Sequence, residues 1–271
     1  MRKLFKTLTT AVLAFATASV SARTVVDLSG EGWTFDGKPV AIPHTWNADD
    51  GSDGVGRMHE WGLGDSVGSP SYSRGPHVYL RALPDPKPGK RYFVRCHGVS
   101  SKAEVDVNGV NIGEHSGAFT AFTFEITAVL KPEGNILEIT ADNTYDLNVP
   151  PVSGDFTMYG GVYRRVELIE TEEICIDPCW YGTDAVEITA DPDTGKVVAK
   201  IGVSAGVGHG HAECVTLPDR EWWTIEYDFG KVELWSPESP KLYEVEINIG
   251  RDLITRKVGF RKIEWKDDGF Y

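Results

Sequence analysis

The sequence predicts an all-β protein of two β-sandwiches. Apolar and polar residues alternate with a period of two in many short segments, whereas almost no segment keeps the 3.6-residue apolar period of an amphipathic helix. Turn-forming residues bound these segments at even intervals, as in Pro86–Gly89 and Lys131–Gly134. With 271 residues and 41% hydrophobic content, the chain is also long enough for two domains.

The first 22 residues are predicted to be a secretory signal peptide. Arg2, Lys3 and Lys6 precede an apolar run from Leu8 to Val20, and the small residues up to Ala22 offer a cleavage site. No stretch of the chain reaches the roughly 20 apolar residues that a membrane-spanning helix needs. We therefore expect an exported protein, periplasmic or extracellular, that is not embedded in a membrane.

The charge balance is strongly acidic. The full chain carries 27 basic and 40 acidic residues, a formal net charge of −13. The predicted signal peptide holds three of the basic residues, so its removal leaves a net charge of about −16. Such a surface repels polyanions, which argues against nucleic acid and anionic membranes as partners.

Residues 23–171 are predicted to form the first sandwich. Its clearest element is a hairpin with Asn108–Gly109 at the turn, because this pair tolerates the positive φ angles of a type I′ turn. The polar, Gly-rich stretch 47–75 has no alternation and is predicted to be a long loop. The other strands are predicted at Tyr79–Arg81, Arg91–Cys96, Phe122–Ile126, Ile136–Ala141 and Val162–Ile169.

Residues 172–263 are predicted to form a second sandwich, of the immunoglobulin-like kind. The number of candidate strands fits such a domain of about 90 residues. The strands are predicted at Ala185–Thr189, Val197–Val203, Trp222–Tyr227, Lys231–Trp235, Tyr243–Ile249 and Lys257–Trp265.

Four cysteines are few for an exported chain of this size, so disulfides are not expected to hold the fold together. Cys96 alternates with apolar residues and is predicted to be a small core residue. Cys175 and Cys179 would lie about 13 Å apart in an extended strand, beyond disulfide reach. They could pair only if Pro178 bends the chain, and this bridge is the less favoured alternative.

Two clusters have ligand-forming side chains, but neither has a metal-site spacing. Asp49, Asp50 and Asp53 lack the EF-hand pattern, so a solvated loop is preferred to calcium binding. His209, His211 and Cys214 lack a fourth ligand for structural zinc, so a polar loop is preferred there. The sequence also contains no nucleophile elbow, no phosphate-binding glycine loop and no His-Glu-x-x-His motif. We therefore expect no metal and no cofactor.

The segment from Val149 to Ile169 is the strongest candidate for a functional site. It begins as a Pro-stiffened loop, passes through Gly154–Asp155 and the double glycine Gly160–Gly161, and ends as an alternating strand. A loop that leads into a rigid strand is well placed to present the Asp155 carboxylate to a partner. The alternative is that Asp155 is a turn residue bonded to nearby backbone amides.

The order of motifs along the chain resembles glycoside hydrolase family 2, the family of β-galactosidases, β-glucuronidases and β-mannosidases. The resemblance covers nearly all of the chain that follows residue 22. It is carried by Ile42–Asn47, Tyr72–Gly75, Gly98–Gly109, Gly113–Phe119, Ser153–Arg164, Leu234–Tyr243 and Val258–Arg261.

This resemblance implies a jelly-roll, galactose-binding-like sandwich over 23–171 and an immunoglobulin-like sandwich over 172–263. It also implies that residues 264–271 lead into a (β/α)8 barrel that carries both catalytic glutamates and is missing here, so no catalytic residue is assigned. By the same resemblance, Asp155 is the sugar-binding carboxylate of the first domain, and the implied partner is a β-linked glycoside.

Three readings of the chain remain open at this stage. In the first, it is the exported non-catalytic part of a family 2 β-glycosidase and is inactive alone. In the second, it is a free-standing carbohydrate-binding protein. In the third, it is one subunit of a split glycosidase and docks with a separately encoded catalytic barrel.

Overall fold

The structure is a computed structural model that describes residues 7–8, 23–48, 73–150, 158–205 and 221–270. Within these ranges, one 3-10 turn at Thr127–Val129 is the only helical element, and the rest of the regular structure is β-strand. The predicted all-β class is therefore confirmed. No helix of the described ranges is both long and apolar enough to cross a membrane.

The first part of the chain contains eleven described strands. They are β1 (Thr7–Leu8), β2 (Thr24–Asp27), β3 (Gly30–Phe35), β4 (Lys38–Ile42), β5 (Pro76–Ala82), β6 (Arg91–Cys96), β7 (Lys102–Val107), β8 (Val110–Ser116), β9 (Phe122–Glu125), β10 (Ile136–Asp142) and β11 (Val166–Thr171). Of these, β2 to β11 form the first sandwich.

Eight strands follow in the second part of the chain. They are β12 (Ile174–Ile176), β13 (Val186–Asp191), β14 (Lys196–Ala205), β15 (Glu221–Asp228), β16 (Tyr243–Ile249), β17 (Asp252–Val258), β18 (Trp265–Lys266) and β19 (Gly269–Phe270).

The first sandwich packs a six-stranded sheet against a four-stranded sheet. The strand orders are β4-β3-β5-β10-β7-β8 and β2-β11-β6-β9. Inward-facing side chains of both sheets, such as Trp33, Tyr79, Val94, Phe124 and Ile139, form one buried cluster. Burying apolar area between two amphipathic sheets is the main stabilising term of such a fold.

The predicted hairpin at β7 and β8 is confirmed. Asn108 and Gly109 have φ angles of 57° and 78°, both positive as a type I′ turn requires. The strands pair from Val107 opposite Val110 outward. Asn108 Nδ2 also donates to the Val129 carbonyl at 2.8 Å, so the hairpin turn is tied to the 3-10 turn at Thr127–Val129.

In the second part of the chain, β14 is the centre of a five-stranded sheet, and β16 and β17 form a separate hairpin. Side chains of the sheet and the hairpin share one core, which includes Ile201, Val203, Ile247 and Phe260. The strand β1 lies at the edge of the five-stranded sheet, parallel to β15.

Three strand predictions were wrong in position or existence. The strand predicted over Val162–Ile169 begins only at Val166. The Val162 carbonyl lies outside the ladder and instead accepts a hydrogen bond from the His44 amide at 2.8 Å. The strand predicted at Lys231–Trp235 is absent, and the Trp235 amide makes a single bond to the Phe260 carbonyl. The strand predicted at Lys257–Trp265 is β17, which ends at Val258 because Gly259 leaves the ladder to pass within contact of the Trp235 ring.

A buried cluster of charges joins the two sandwiches. Arg23 contacts Asp184 at 2.8 Å and Asp252 at 2.7 Å, and Arg95 contacts Asp184 at 3.1 Å. Arg256 adds a third ion pair to Asp184. Burial alone would raise the pKa of Asp184, but the surrounding arginines hold that pKa below its ordinary value. The two sandwiches therefore meet through paired charges as well as through packing.

The cysteines behave as small core residues. Cys96, Cys175 and Cys179 are buried and are not bonded to one another, so the less favoured Cys175–Cys179 bridge is not formed. The prediction that Cys96 lies in the core is confirmed, and burial strongly raises the pKa of its thiol. Cys175 also accepts a contact from Arg91 at 3.7 Å. Cys214 lies outside the described residues.

Candidate functional site

Two buried asparagines hold together the ends of the two loops that sequence reasoning singled out. Asn47 donates to the Met158 carbonyl at 3.0 Å and accepts from the Gly160 amide at 2.9 Å. Asn143 donates to the same Met158 carbonyl at 2.9 Å and accepts from the Gly75 amide at 3.1 Å. We call Asn47 and Asn143 the asparagine clamp.

The clamp is almost free of solvent contact, since Asn47 and Asn143 are 2% and 1% exposed. Each side chain acts as a donor and as an acceptor, which satisfies both functions of a buried amide. The clamp fixes the point where the chain returns at Met158, three residues beyond Asp155. It also fixes the point where the long loop predicted over 47–75 leaves and returns.

The double glycine is required by close packing as well as by backbone geometry. A Cβ atom on Gly160 would lie 2.0 Å from Cζ2 of the Trp46 indole. On Gly161, whose φ is 132°, a Cβ would lie 2.4 Å from the His44 carbonyl oxygen. Only glycine fits at either position, so the sequence prediction of a tight passage here acquires a steric cause.

Beside the clamp lies a cluster of aromatic rings on β3, on β5 and in the loop that follows β4. Trp46 stacks on Phe35 with ring centroids 5.9 Å apart and packs on His77 at 4.4 Å. Trp46 Nε1 also donates to the Ser73 carbonyl at 3.1 Å. The indole is therefore held from several sides and forms a rigid wall next to Gly160.

His44 and Tyr79 form a polar pair within this cluster. His44 Nδ1 lies 2.7 Å from the Tyr79 hydroxyl. Burial lowers the pKa of His44 and raises the pKa of Tyr79, so both groups are held in their neutral forms. The pair stabilises the wall and supplies no charge for catalysis.

The predicted site residue itself, Asp155, lies outside the described residues, as do Asp49, Asp50, Asp53 and the group His209, His211 and Cys214. In the described ranges, no group of three or more His, Cys, Asp or Glu side chains is arranged to hold a metal ion. Sequence reasoning missed the clamp. Asn47 lies in the motif Ile42–Asn47, which carries part of the family resemblance. No local feature of the sequence distinguishes Asn143 from other polar residues at strand ends.

Two family models match the chain. Residues 73–151 match the glycosyl hydrolase 2 galactose-binding domain-like model, and residues 183–261 match the glycosyl hydrolases family 2 model. The chain carries two domains of glycoside hydrolase family 2. The first is the galactose-binding-like domain that holds the asparagine clamp, and the second is the immunoglobulin-like domain.

Curated relatives agree with this assignment. The chain is 34% identical over 269 residues to a Beta-glucuronidase of Bacteroides fragilis, covering 87% of this chain and 36% of the relative. It is 30% identical over 207 residues to a Beta-galactosidase of Thermoanaerobacterium thermosulfurigenes, covering 67% of this chain and 29% of the relative. The chain thus spans about a third of the length of these relatives.

A solved structure shows the same arrangement. The crystal structure of a Bacteroides uniformis beta-glucuronidase superposes with a TM-score of 0.70 at 25% identity, covering 92% of this chain and 34% of that one. The similarity therefore extends over both domains of the family 2 chain.

Proposed function

We propose that this chain is the exported, non-catalytic sugar-binding part of a family 2 β-glycosidase, and that Asp155 provides an auxiliary contact to the substrate. The observation that carries this proposal is the asparagine clamp. Two buried amides converge on the Met158 carbonyl at 3.0 and 2.9 Å. These two buried side chains fix the loop end that follows Asp155 in the sequence.

The chemistry of a carboxylate suits this role. An ionised aspartate accepts hydrogen bonds through two oxygens, which matches the paired hydroxyls of a sugar ring. The curated relatives are named as a glucuronidase and a galactosidase, which supports a β-linked glycoside as the ligand. Catalytic groups are then supplied by a barrel domain, either of the same protein or as a separately encoded partner.

Export is the second part of the proposal, and it rests on the basic start and apolar run of residues 1–22. Mass spectrometry of the protein secreted by a bacterial host tests it. We expect a chain that begins at Arg23. A full-length chain retained in the cytoplasm would contradict export, and this result would have no bearing on the sugar-binding role.

Calorimetric titration of the purified chain with methyl β-glucuronide and methyl β-galactoside tests the sugar-binding role. An isolated auxiliary contact should bind weakly, about millimolar or −4 kcal/mol. Asp155→Asn should weaken binding, whereas Asp85→Asn, at an exposed site of the same domain, should not. Equal binding by the Asp155→Asn variant would overturn the role of Asp155.

Turnover distinguishes the alternatives. The chain alone should release no nitrophenol from nitrophenyl β-galactoside or β-glucuronide, and measurable release would contradict a non-catalytic role. Tight binding that is lost in Asp155→Asn would favour a free-standing carbohydrate-binding protein instead. Activity that appears only when a separately expressed barrel is added would favour a split enzyme.

A further inference from the structure

A shallow pocket, open to solvent, lies on the surface of the first domain, where Gly182 of the second domain approaches Ala121. Its volume is about 490 Å³, and it is lined by Pro43, His97, Ala121, Tyr163, Arg164 and Arg165. An open surface of this kind can seat one face of a sugar ring. Two adjacent arginines are notable here, because the chain as a whole carries a formal charge of −13.

Arg164 is the unneutralised cation of this pocket. Its Nη1 donates to two backbone carbonyls, of Phe119 at 3.1 Å and of His97 at 3.4 Å, and its guanidinium lies 5.2 Å from the Tyr163 ring centroid. Among the described residues, no carboxylate forms an ion pair with Arg164. The guanidinium is thus oriented in advance, with donors left for an anion.

The other charges around the pocket are balanced differently. Glu167 lies 2.9 Å from Arg165 Nε and 2.9 Å from His97 Nε2, so it neutralises that side. Asp27 is also near enough for its charge to interact with Arg165 and His97. Because Glu167 and Asp27 offset the charges of Arg165 and His97, Arg164 is the residue of the pocket with a net attraction for an anion.

Tyr163 is held rigidly in the wall of the pocket. Its hydroxyl donates to the Ala118 carbonyl. Its ring packs against Gly98 so closely that a Cβ atom on Gly98 would lie 2.9 Å from the phenol oxygen. Gly98 therefore makes room for both Tyr163 and Arg164. An aromatic ring beside a fixed guanidinium is suited to a ligand with an apolar face and a negative group.

A strained turn of the second domain lies against the same pocket. Tyr181 and Gly182 have φ angles of 47° and 71°, and Trp180 and Thr183 exchange both backbone hydrogen bonds around them. This is a type I′ turn with tyrosine where asparagine or glycine is usual, which costs conformational energy. A Cβ on Gly182 would lie 2.1 Å from the Ala121 carbonyl oxygen, so the turn touches the pocket wall.

The strain leaves an aromatic ring in solvent, since Tyr181 is 61% exposed. Phe119, whose carbonyl holds Arg164, is 59% exposed. The Tyr181 ring packs edge-on against the Trp180 ring, with centroids 4.7 Å apart, and Tyr181 precedes Gly182, which touches the pocket wall at Ala121. Exposed aromatic rings beside a cation are usual components of a carbohydrate-binding surface, in which rings stack on sugars.

We propose that this pocket is a second carbohydrate site, which binds an acidic sugar such as a hexuronate residue through Arg164, with Tyr163 and Tyr181 as ring contacts. The proposal does not rest on the role proposed for Asp155. Through this pocket, the protein would bind an anionic glycan chain at a position separate from the site where the glycoside is hydrolysed.

Titration of the 15N-labelled full chain with sodium glucuronate, followed by NMR, tests the proposal. We expect amide shifts at Gly182 and Arg164 with millimolar affinity, and binding of the neutral match, glucose, that is weaker by roughly fivefold or more. Equal affinity for the two sugars would overturn the role of the cation. Equal competition by sodium sulfate would overturn the saccharide specificity.

Variants separate binding from folding. Arg164→Gln should weaken glucuronate binding by roughly fivefold, and Arg164→Lys should restore only part of it, because lysine lacks the planar fork. Arg251→Gln is the matched control, since that side chain is 76% exposed and distant in the chain. Binding unchanged in Arg164→Gln would contradict the proposal.

The strained turn offers a variant that should keep the fold, because the substituted residue suits the positive φ of Tyr181. Tyr181→Asn removes the ring but suits a positive φ, so thermal stability should stay equal or rise. Glucuronate binding should nevertheless fall, and loss of binding with retained stability supports a functional reason for the strain. Unchanged binding would overturn the part assigned to Tyr181. Asp155→Asn, run in parallel, should leave these shifts in place whatever its effect on the other site.

Discussion

The guanidinium of Arg23 donates two hydrogen bonds to the carboxylate of Asp252, at 2.7 Å from Nε and 2.7 Å from Nη2. The two residues are 229 positions apart in sequence, and both side chains are buried, with exposures of 6% and 0%. Asp252 also accepts from the Ile176 amide at 2.7 Å. A bidentate pair of this kind fixes the approach of the two domains in direction as well as in distance.

Removing one member of this pair should destabilise the fold by more than the intact pair stabilises it, because the other charge is then left buried with fewer partners. Asp252→Asn removes the bidentate carboxylate partner of the buried Arg23 charge, and we expect a loss of about 3 to 5 kcal/mol. Chemical denaturation followed by fluorescence measures it. Asp85→Asn, at an exposed position, should change the free energy of unfolding by less than about 0.5 kcal/mol. A similar small change in both variants would mean that the pair is not desolvated in solution.

Asp184 should make the protein sensitive to acid. Its pKa in the folded state lies below the ordinary value, so the carboxylate stabilises the fold at pH above about 4, and this contribution is lost as the pH falls through the lowered value. The stability difference between the native chain and Asp184→Asn should therefore be largest near neutral pH and shrink below about pH 4. A difference that stays constant down to pH 3 would contradict this assignment.

The contact between Gly160 and Trp46 predicts a non-additive pair of substitutions. Gly160→Ala places a methyl group 2.0 Å from the indole, and we expect a loss of at least about 1 to 3 kcal/mol. In Trp46→Ala the space is already open, so adding Gly160→Ala should cost less than it does alone. A double-mutant cycle of unfolding free energies measures the coupling. Additive losses would show that the alanine is accommodated by backbone movement elsewhere.

The asparagine clamp should be sensitive to the loss of its donors. Asn143→Asp keeps an acceptor for the Gly75 amide but faces the Met158 carbonyl with a carboxylate, and we expect a loss of about 1 to 3 kcal/mol. Asn248→Asp, on an exposed strand position, serves as the control and should be nearly neutral. Hydrogen exchange at Gly75 and Gly160 should also accelerate in Asn143→Asp. Unchanged exchange would contradict a role in holding the loop ends.

The strands were predictable where the signal is local. Alternation and the Asn108–Gly109 turn located β7 and β8 because side-chain period and turn chemistry are properties of adjacent residues. Lys231–Trp235 shows the limit of this signal. Its residues alternate, but a strand also needs a neighbouring strand to pair with. Here the Trp235 amide bonds to the Phe260 carbonyl and the Glu233 amide to the Tyr243 hydroxyl instead.

The features that join distant segments were not predictable. Arg23 and Arg95 read as ordinary surface cations, and their burial depends on carboxylates that lie 229 and 89 residues away. Asn143 has the composition of any loop residue until Met158 and Gly75 are placed around it. In both cases the sequence shows the polar group but not the partner that makes burial tolerable.

The charge cluster between the sandwiches has a consequence for dividing this protein into parts. A cut between Thr171 and Glu172 would separate Arg23 and Arg95 from Asp184 and Asp252, and would expose unmatched charges on both fragments. Each fragment would need these positions redesigned before it could be expected to stay soluble and folded. Chimeras between family members should likewise exchange these four residues, with Arg256, as one set.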